Sequence, residues 1–512
     1  MGKGGNSKSS APATTATAAS SQALGPGEVW REDEGKSFKV QKSYVSKSAL
    51  ASIAKRTDLP AKITMAEAAK HNKRDDLWVI VDGKCYDVTR YVEHHPGGWL
   101  PMVNLGGKDA TDAFANYHPA RVYKNMLPQY YIGDVVDYRE TEFQKGHRAI
   151  RQRLLAEGMF ETRMSYYYKL TAWFAALLAG AVYCTLACTS FAVHMAGAVL
   201  LGAFWQQMAG VGHDIGHNGV THVWKTDNTI GLLVGNFLTG IGMGWWKRSH
   251  NVHHVVCNSI ENDPDIQHMP IFAVSPEIFG RFFSSYHQHW VETDAAARFL
   301  VSYQHWLFYP IMAFARFNLY AQAWLLLLSD EYVHNKKWEM VASAGFIAWL
   351  SSLVAYIPVG PWGNWERVLY LLVSHNVAGL LHVQICLSHF AMETYHGVPY
   401  KGEEDEWFRM QLATTLNIDC PAWLDWFHIG LQFQIEHHLW PRLPRHNLRY
   451  ASKLVQEFCK EQGVNYHMPK WIDAQFDLVA HMKETAMKAR DLKRGDAGFY
   501  ESPIWEGLNA QG

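Results

Sequence analysis

Cysteine is scarce and unpatterned in this chain. Seven occur in 512 residues, at 85, 184, 188, 257, 386, 420 and 459, and none forms a CxxC pair. An odd, scattered set of thiols excludes a disulfide framework and a thiolate zinc site, and fits reducing surroundings. A dominant charge is lacking too. The 47 Lys and Arg face 48 Asp and Glu with no basic block, which excludes nucleic acid as a partner. No acidic residue precedes Glu28, and the Ser, Thr, Ala and Gly ahead of it contain no apolar core. That composition excludes a signal peptide, and residues 1–58 are expected to be a disordered leader and linker. It also fits a plastid transit peptide, although it holds lysine and no arginine, and Met1-Gly2-Lys3 has Asn6 where an acylation site wants Ser or Thr.

Histidine, by contrast, is abundant at 27 residues, and seven of these fall in three clusters. His213 and His217 form the first. The second is the run His250-Asn251-Val252-His253-His254, and the third is Gln434-Ile435-Glu436-His437-His438. On helices, spacings of three and four put these imidazoles on one face, so each cluster can offer two or three nitrogens to one metal. Neutral imidazoles suit iron, copper, nickel and zinc, and the absence of thiolate argues against structural zinc. Seven are too many for one ion, so two metals close together are expected. Asp214, Asp263, Asp265 and Glu436 lie beside the clusters and are candidates to orient imidazole N–H groups.

A second redox site is written in residues 77–118. A short hydrophobic strand pair turned by Asp82-Gly83 comes first. His95-Pro96-Gly97-Gly98 and Gly106-Gly107 then leave backbone room for a large flat ligand. His95 and His118, each in a small loop–helix element, are placed to clamp a haem iron from both faces, which means electron transfer and not oxygen binding.

Apolar runs near the roughly 20 residues that a bilayer needs occur at 170–188, 191–211, 340–358 and 367–388. The aromatic content of 13%, with 21 Trp, suits membrane interfaces. The stretch 228–244 is short and reads as re-entrant or interfacial. Pro310, Arg316 and Asn318 interrupt 303–328, which reads as a helix along the membrane surface. Trp245-Trp246-Lys247-Arg248 is expected to anchor its loop at the headgroup layer. Four spans put the haem region and all three clusters on one side, expected to be cytosolic. The expected fold is an α-helical integral membrane protein with four transmembrane helices and a cytosolic helical cap, plus a small α+β haem domain. Its expected divisions are the leader and linker 1–58, the haem domain 60–138, a linker 139–168, the membrane domain 169–460 and a cytosolic tail 461–512.

Two redox centres on one membrane face, one of them built from histidine alone, call for electrons and a lipid. Breaking an unactivated C–H bond of an alkyl chain needs the strong oxidant that two irons generate from dioxygen and two external electrons.

Residues 60–138 closely resemble the cytochrome b5 domain, whose axial ligands match His95 and His118. The three clusters, their spacing and the fused haem domain resemble the front-end membrane desaturases, down to Gln434 in place of the first histidine of the last cluster. The resemblance runs from about residue 60 to 460. It implies haem b on His95 and His118, and two non-haem irons on His213, His217, His250, His253, His254, His437 and His438. It also implies electrons supplied by an NADH-cytochrome b5 reductase. A further histidine ligand is implied between the last span and the last cluster. His389 lies there, with His382, His375 and His396 as competitors, and Phe390 follows it where relatives have Asn. Gln434 is a further candidate ligand, or a residue that orients His437. The segments Gly244–His250, Asn262–Pro270, Tyr303–Trp306 and Leu431–Gln434 resemble the sphingolipid delta-8 long-chain-base desaturases. The implied substrate is a ceramide or long-chain base. A front-end fatty acyl desaturase is the alternative, with a lipid hydroxylase or a haem electron carrier behind it. The endoplasmic reticulum membrane is the implied location, ahead of a plastid membrane.

Overall fold

Residues 28–41, read above as part of a disordered leader, are instead an ordered antiparallel hairpin. Strand β1 (Glu28–Asp33) pairs with β2 (Lys36–Gln41) from Glu28↔Gln41 to Asp33↔Lys36. Glu34 and Gly35 turn it, both at positive φ (49° and 76°), as a tight hairpin requires. The low-complexity composition ahead of Glu28 masks this short pattern, and ion pairs to both neighbouring domains hold it. The computed structural model describes residues 24, 26–41, 62–399 and 406–492. The rest of the expected leader lies outside them.

The haem domain is a four-stranded antiparallel sheet ordered β3 (Asn72–Lys73), β4 (Asp76–Val81), β5 (Lys84–Asp87), β6 (Tyr131–Asp134). Asp82 and Gly83 both take positive φ and make the expected turn between β4 and β5. Short helices α1 (Leu100–Asn104) and α2 (Thr111–Tyr117) carry the loops that hold His95 and His118. Buried Leu77, Val79, Leu100 and Ala113 of this domain belong to one apolar cluster with Val252, Leu439 and Val455 of the following domain.

The stretch 139–168, expected as a linker, is largely helix. Thr141 and Gln144 form a reciprocal capping box that starts α3 (Glu142–Ala156). Phe143, Leu154 and Leu155 bury one face of it, and Phe143 meets Phe458 edge-on with ring centroids 5.1 Å apart. Helical periodicity and the cap override a polar composition here.

Three of the four expected spans are long and apolar enough to cross a membrane: α4 (Met164–Leu186), α9 (Lys336–Ala355) and α10 (Asn364–Leu387). The expected span at 191–211 is the 26-residue helix α5 (Phe191–Gly216). It packs along both α4 and α10, and its inner half satisfies two buried amides. Gln206 donates to Gln384 at 2.9 Å and Gln207 to the Trp426 carbonyl at 2.9 Å. Helix α6 (Met243–Val255) carries the second histidine cluster. The stretch 303–328 is a pair, α7 (Gln304–Met312) and α8 (Ala315–Leu328), bent by 70°.

Helix α11 (Gln434–Leu439) carries the third cluster and leads into α12 (Leu448–Gln462). The stretch expected as a tail from 461 onward contains α13 (Trp471–Asp491), which is no tail. Its Ala474, Leu478, Met482 and Ala489 are buried with Phe272, Ile278 and Phe308 in one core cluster. Residues 493–512 lie outside the described ones.

Candidate metal centre

Four elements bring the histidines together. His213 and His217 close α5, the second run sits on α6, His437 and His438 lie on α11, and His389 follows α10. His213, His217, His250, His254 and His437 form one group, each offering a ligand atom within 4.8 Å of the others. His253, Cys257, His389 and His438 form a second group by the same measure. The site is therefore two adjoining sets, as the count of imidazoles implies.

The donor chemistry fits metal. His254 Nε2 stands 3.0 Å from His250 Nε2 and 3.1 Å from His437 Nε2, so three ring nitrogens converge. His217 is buried with neither ring nitrogen hydrogen-bonded, and His254 Nδ1 has no partner. A buried polar atom without a partner is costly, and a bound cation would satisfy it. Burial and neighbouring imidazoles push His254, His437 and His438 well below the usual histidine range, so they stay neutral with lone pairs free, as ligands must be.

The four acidic neighbours divide. Asp263 accepts from His253 Nδ1 at 2.9 Å, and Asp265 stands 3.5 Å from His250 Nδ1. Burial works to lower the His253 pKa, but Asp263 and Asp265 carry it up to about 9; a metal at Nε2 would displace that proton and leave Nδ1 on Asp263. Asp214 is engaged elsewhere, accepting from Tyr167 at 2.7 Å and Arg445 at 2.6 Å. Glu436 accepts from Asn417 at 2.7 Å and Tyr466 at 2.8 Å, and from no imidazole.

His389 is the further histidine that joins the clusters. His375 bonds the Leu371 carbonyl and stacks on Phe317, and His396 is exposed against Glu261. His382 and Gln434 line a cavity shared with His213, His250, His253 and His389. Apolar Ile241, Leu319, Leu381 and Leu431 form other parts of its wall.

Two positions escaped the sequence reading, and a third was given another role. Cys257 lies four residues after His253, a spacing that signals it, and its buried thiol, pushed well above the usual range by burial, stands in the second group. Gln411 Oε1 accepts from His438 Nδ1 at 3.0 Å, and its Nε2 donates to the His254 carbonyl at 2.9 Å. Trp246 does not anchor at a membrane surface. Its ring lies 4.4 Å from that of His250 and 5.2 Å from that of His217, and Trp245 is buried beside it.

In the haem domain, the rings of His95 and His118 face each other with centroids 5.9 Å apart. His95 Nδ1 bonds the Gly98 carbonyl at 2.8 Å and His118 Nδ1 the Phe114 carbonyl at 3.0 Å. Both bonds fix the tautomer that leaves Nε2 as the lone-pair atom, which fits axial ligation of a haem.

Sequence comparison agrees with this geometry. Residues 64–136 match the family described as cytochrome b5-like heme/steroid binding domain. The chain is 40% identical over 451 residues to the Delta(8)-fatty-acid desaturase 2 of Arabidopsis thaliana, covering 88% of this chain and 98% of that one. It is 39% identical over 452 residues to the acyl-lipid (9-3)-desaturase of Borago officinalis, with the same two coverages, 88% and 98%. It is 40% identical over 360 residues to the Delta 8-(E)-sphingolipid desaturase of Emericella nidulans, covering 69% of this chain and 64% of that one. Residues 189–470 match the fatty acid desaturase family, and the chain belongs to it, as an oxidoreductase with a fused cytochrome b5-like domain.

Proposed function

We propose that this chain introduces a delta-8 double bond into the long-chain base of a sphingolipid. The observation that carries the reaction type is the pair of adjoining imidazole groups, one of five histidines and one containing His253, His389 and His438, opening on a cavity with apolar walls. The substrate assignment is supported by relatives named as delta-8 and sphingolipid desaturases. A front-end fatty acyl substrate is the second reading, favoured by the acyl-lipid relative.

In this reading His213, His217, His250, His254 and His437 would hold one iron and His253, His389 and His438 would hold the second. Gln434 stands at the cavity wall as a weak ligand or a group that orients His437. Two irons bound there would supply, with dioxygen and two electrons, the oxidant that removes one hydrogen from each of two adjacent methylenes. The chain's own residues do the rest. Asp263 fixes the ring of His253, and Gln411 fixes that of His438. Leu381 and Leu431 hold the alkyl chain and exclude water. His95 and His118 would hold haem b, which would supply one-electron transfer from an NADH-cytochrome b5 reductase. The setting is the endoplasmic reticulum membrane, with four spans and the metal and haem faces in the cytosol.

Lipid analysis of yeast lacking delta-8 unsaturated long-chain bases tests this. Expression of the chain yields a new unsaturated long-chain base that His254→Ala abolishes. A new fatty-acid double bond beside unchanged long-chain bases would overturn the sphingolipid assignment and establish the acyl one.

A further inference from the structure

We infer that the β1–β2 hairpin is a clip that fixes the haem domain on the metal centre and thereby sets the rate of electron delivery. The inference rests on the proposed desaturase reading. Alternate residues of β1 face different bodies, as the two-residue period of a strand requires. Arg31 pairs with Asp82 at 3.0 Å and lies 3.4 Å over the Tyr123 ring, while Asp33 accepts from Arg121 at 2.7 Å. These partners belong to the haem domain. Between them Glu32 points the other way and pairs with Arg442 at 2.9 Å, the two side chains only 4% and 6% exposed. Arg442 lies four residues past His438, and His222 Nδ1 stands 3.5 Å from the same carboxylate.

Helix α3 completes the clip. Its Gln152 accepts from the Trp30 amide at 2.6 Å and donates to the Trp30 carbonyl at 3.2 Å. Arg148 pairs with Asp112 at 2.7 Å, and Arg151 donates to the Ala115 carbonyl at 2.6 Å, both in the haem domain. The opposite face of α3 packs on α12. With the clip closed, α1 lies against α6 and Gly97 faces Asn251, one residue from His250. Tyr117, adjacent to His118, then touches the ring of His254. One electron passes at each transfer, drawn from the NADH-dependent reductase through the haem domain, and no bond is made or broken. The fixed contact replaces a diffusional encounter of two tethered domains.

The test uses the full chain in detergent and two variants, Glu32→Ala and the pair Arg31→Ala/Asp33→Ala. Breaking a buried ion pair shifts the docked-to-undocked ratio by at least about a hundredfold. Hydrogen exchange read at residues 95–104 of the haem domain is expected to speed up by about that factor in Glu32→Ala. Reoxidation of the reduced haem slows and becomes salt-dependent, while haem and iron contents stay at wild-type levels. Exchange that quickens in 28–41 alone, with residues 95–104 still protected and reoxidation unchanged, overturns the clip. If Glu32→Ala does not accumulate, the Arg31/Asp33 variant decides by the same two readouts, because its side chains are partly exposed. A wild-type chain that makes no double bond yet shows clip-dependent exchange refutes the functional reading and leaves the clip standing.

Discussion

The ring of Tyr117 meets that of His254 edge-on, with centroids 6.3 Å apart. Tyr117 neighbours the candidate haem ligand His118 in sequence, and His254 belongs to the five-histidine group. The Tyr117 hydroxyl is buried without a hydrogen-bond partner, so ring packing and not polarity defines this contact. Tyr117→Phe is therefore expected to keep wild-type haem reoxidation, whereas Tyr117→Ala slows it severalfold with iron and haem retained. Stopped-flow spectroscopy of the reduced haem distinguishes the two. Equal rates in Tyr117→Ala and wild type would remove this ring from the electron path.

Asp263 holds three donors: the ring of His253 at 2.9 Å, and the backbone amides of Asn258 at 2.7 Å and Asp265 at 2.9 Å. A carboxylate that orients a ligating imidazole is worth about 10–100-fold in metal affinity. Asp263→Asn is expected to lose iron by that factor in chelator titrations, and the loss falls on one iron of the pair. Glu436→Gln, whose partners are Asn417 and Tyr466, is expected to leave iron affinity nearly unchanged. Equal losses in both variants would show that Asp263 acts on the fold and not on His253.

Local pattern carried the parts of this molecule that local pattern can encode. The Asp82-Gly83 turn, the helical histidine spacings and the apolar runs were legible because each depends on residues within one element. His389 was not legible from spacing, since the feature that selects it over His375, His382 and His396 is the packing of its ring on His253 and His438, which come from two other elements. The hairpin at 28–41 and helix α3 were hidden for a related reason. Their compositions are polar, and the hairpin's partners, Asp82, Arg121 and Arg442, lie about 50 to 410 residues away. Trp246 was assigned to a membrane surface because its neighbours Lys247 and Arg248 are charged. Its ring is in fact needed inside, where it packs on three imidazoles.

The seam between haem domain and α3 should be acid-sensitive. Burial works to raise the Asp112 pKa, but His147 and Arg148 outweigh it and hold the carboxyl well below the usual range. A group whose folded pKa is depressed gives stability that is present above its unfolded pKa of about 4 and is lost as pH falls through the folded value. Protection of the α3 amides is thus expected to hold at neutral pH and to fall below about pH 4. Asp112→Asn is expected to cost about 1.5–3 kcal/mol at neutral pH and to flatten the acid dependence. An unaltered acid profile in Asp112→Asn would assign the sensitivity to other carboxyls.

Gly216 separates the two histidines of the first cluster, and a methyl group added there would overlap the six-membered ring of Trp246. That ring packs on His213, His217 and His250, so a displaced Trp246 pushes on three candidate ligands at once. Gly216→Ala is expected to destabilise the fold by about 1–3 kcal/mol through overpacking and to lower iron content. Trp246→Leu alone leaves a cavity and is also expected to be harmful. The double variant Gly216→Ala/Trp246→Leu should recover part of both losses, because the smaller side chain makes room for the methyl. Residues in contact show such non-additivity, of about 0.5–3 kcal/mol. Thermal unfolding and metal analysis of all four proteins measure it. Strict additivity would mean that the glycine is required for some reason other than the close approach of Trp246.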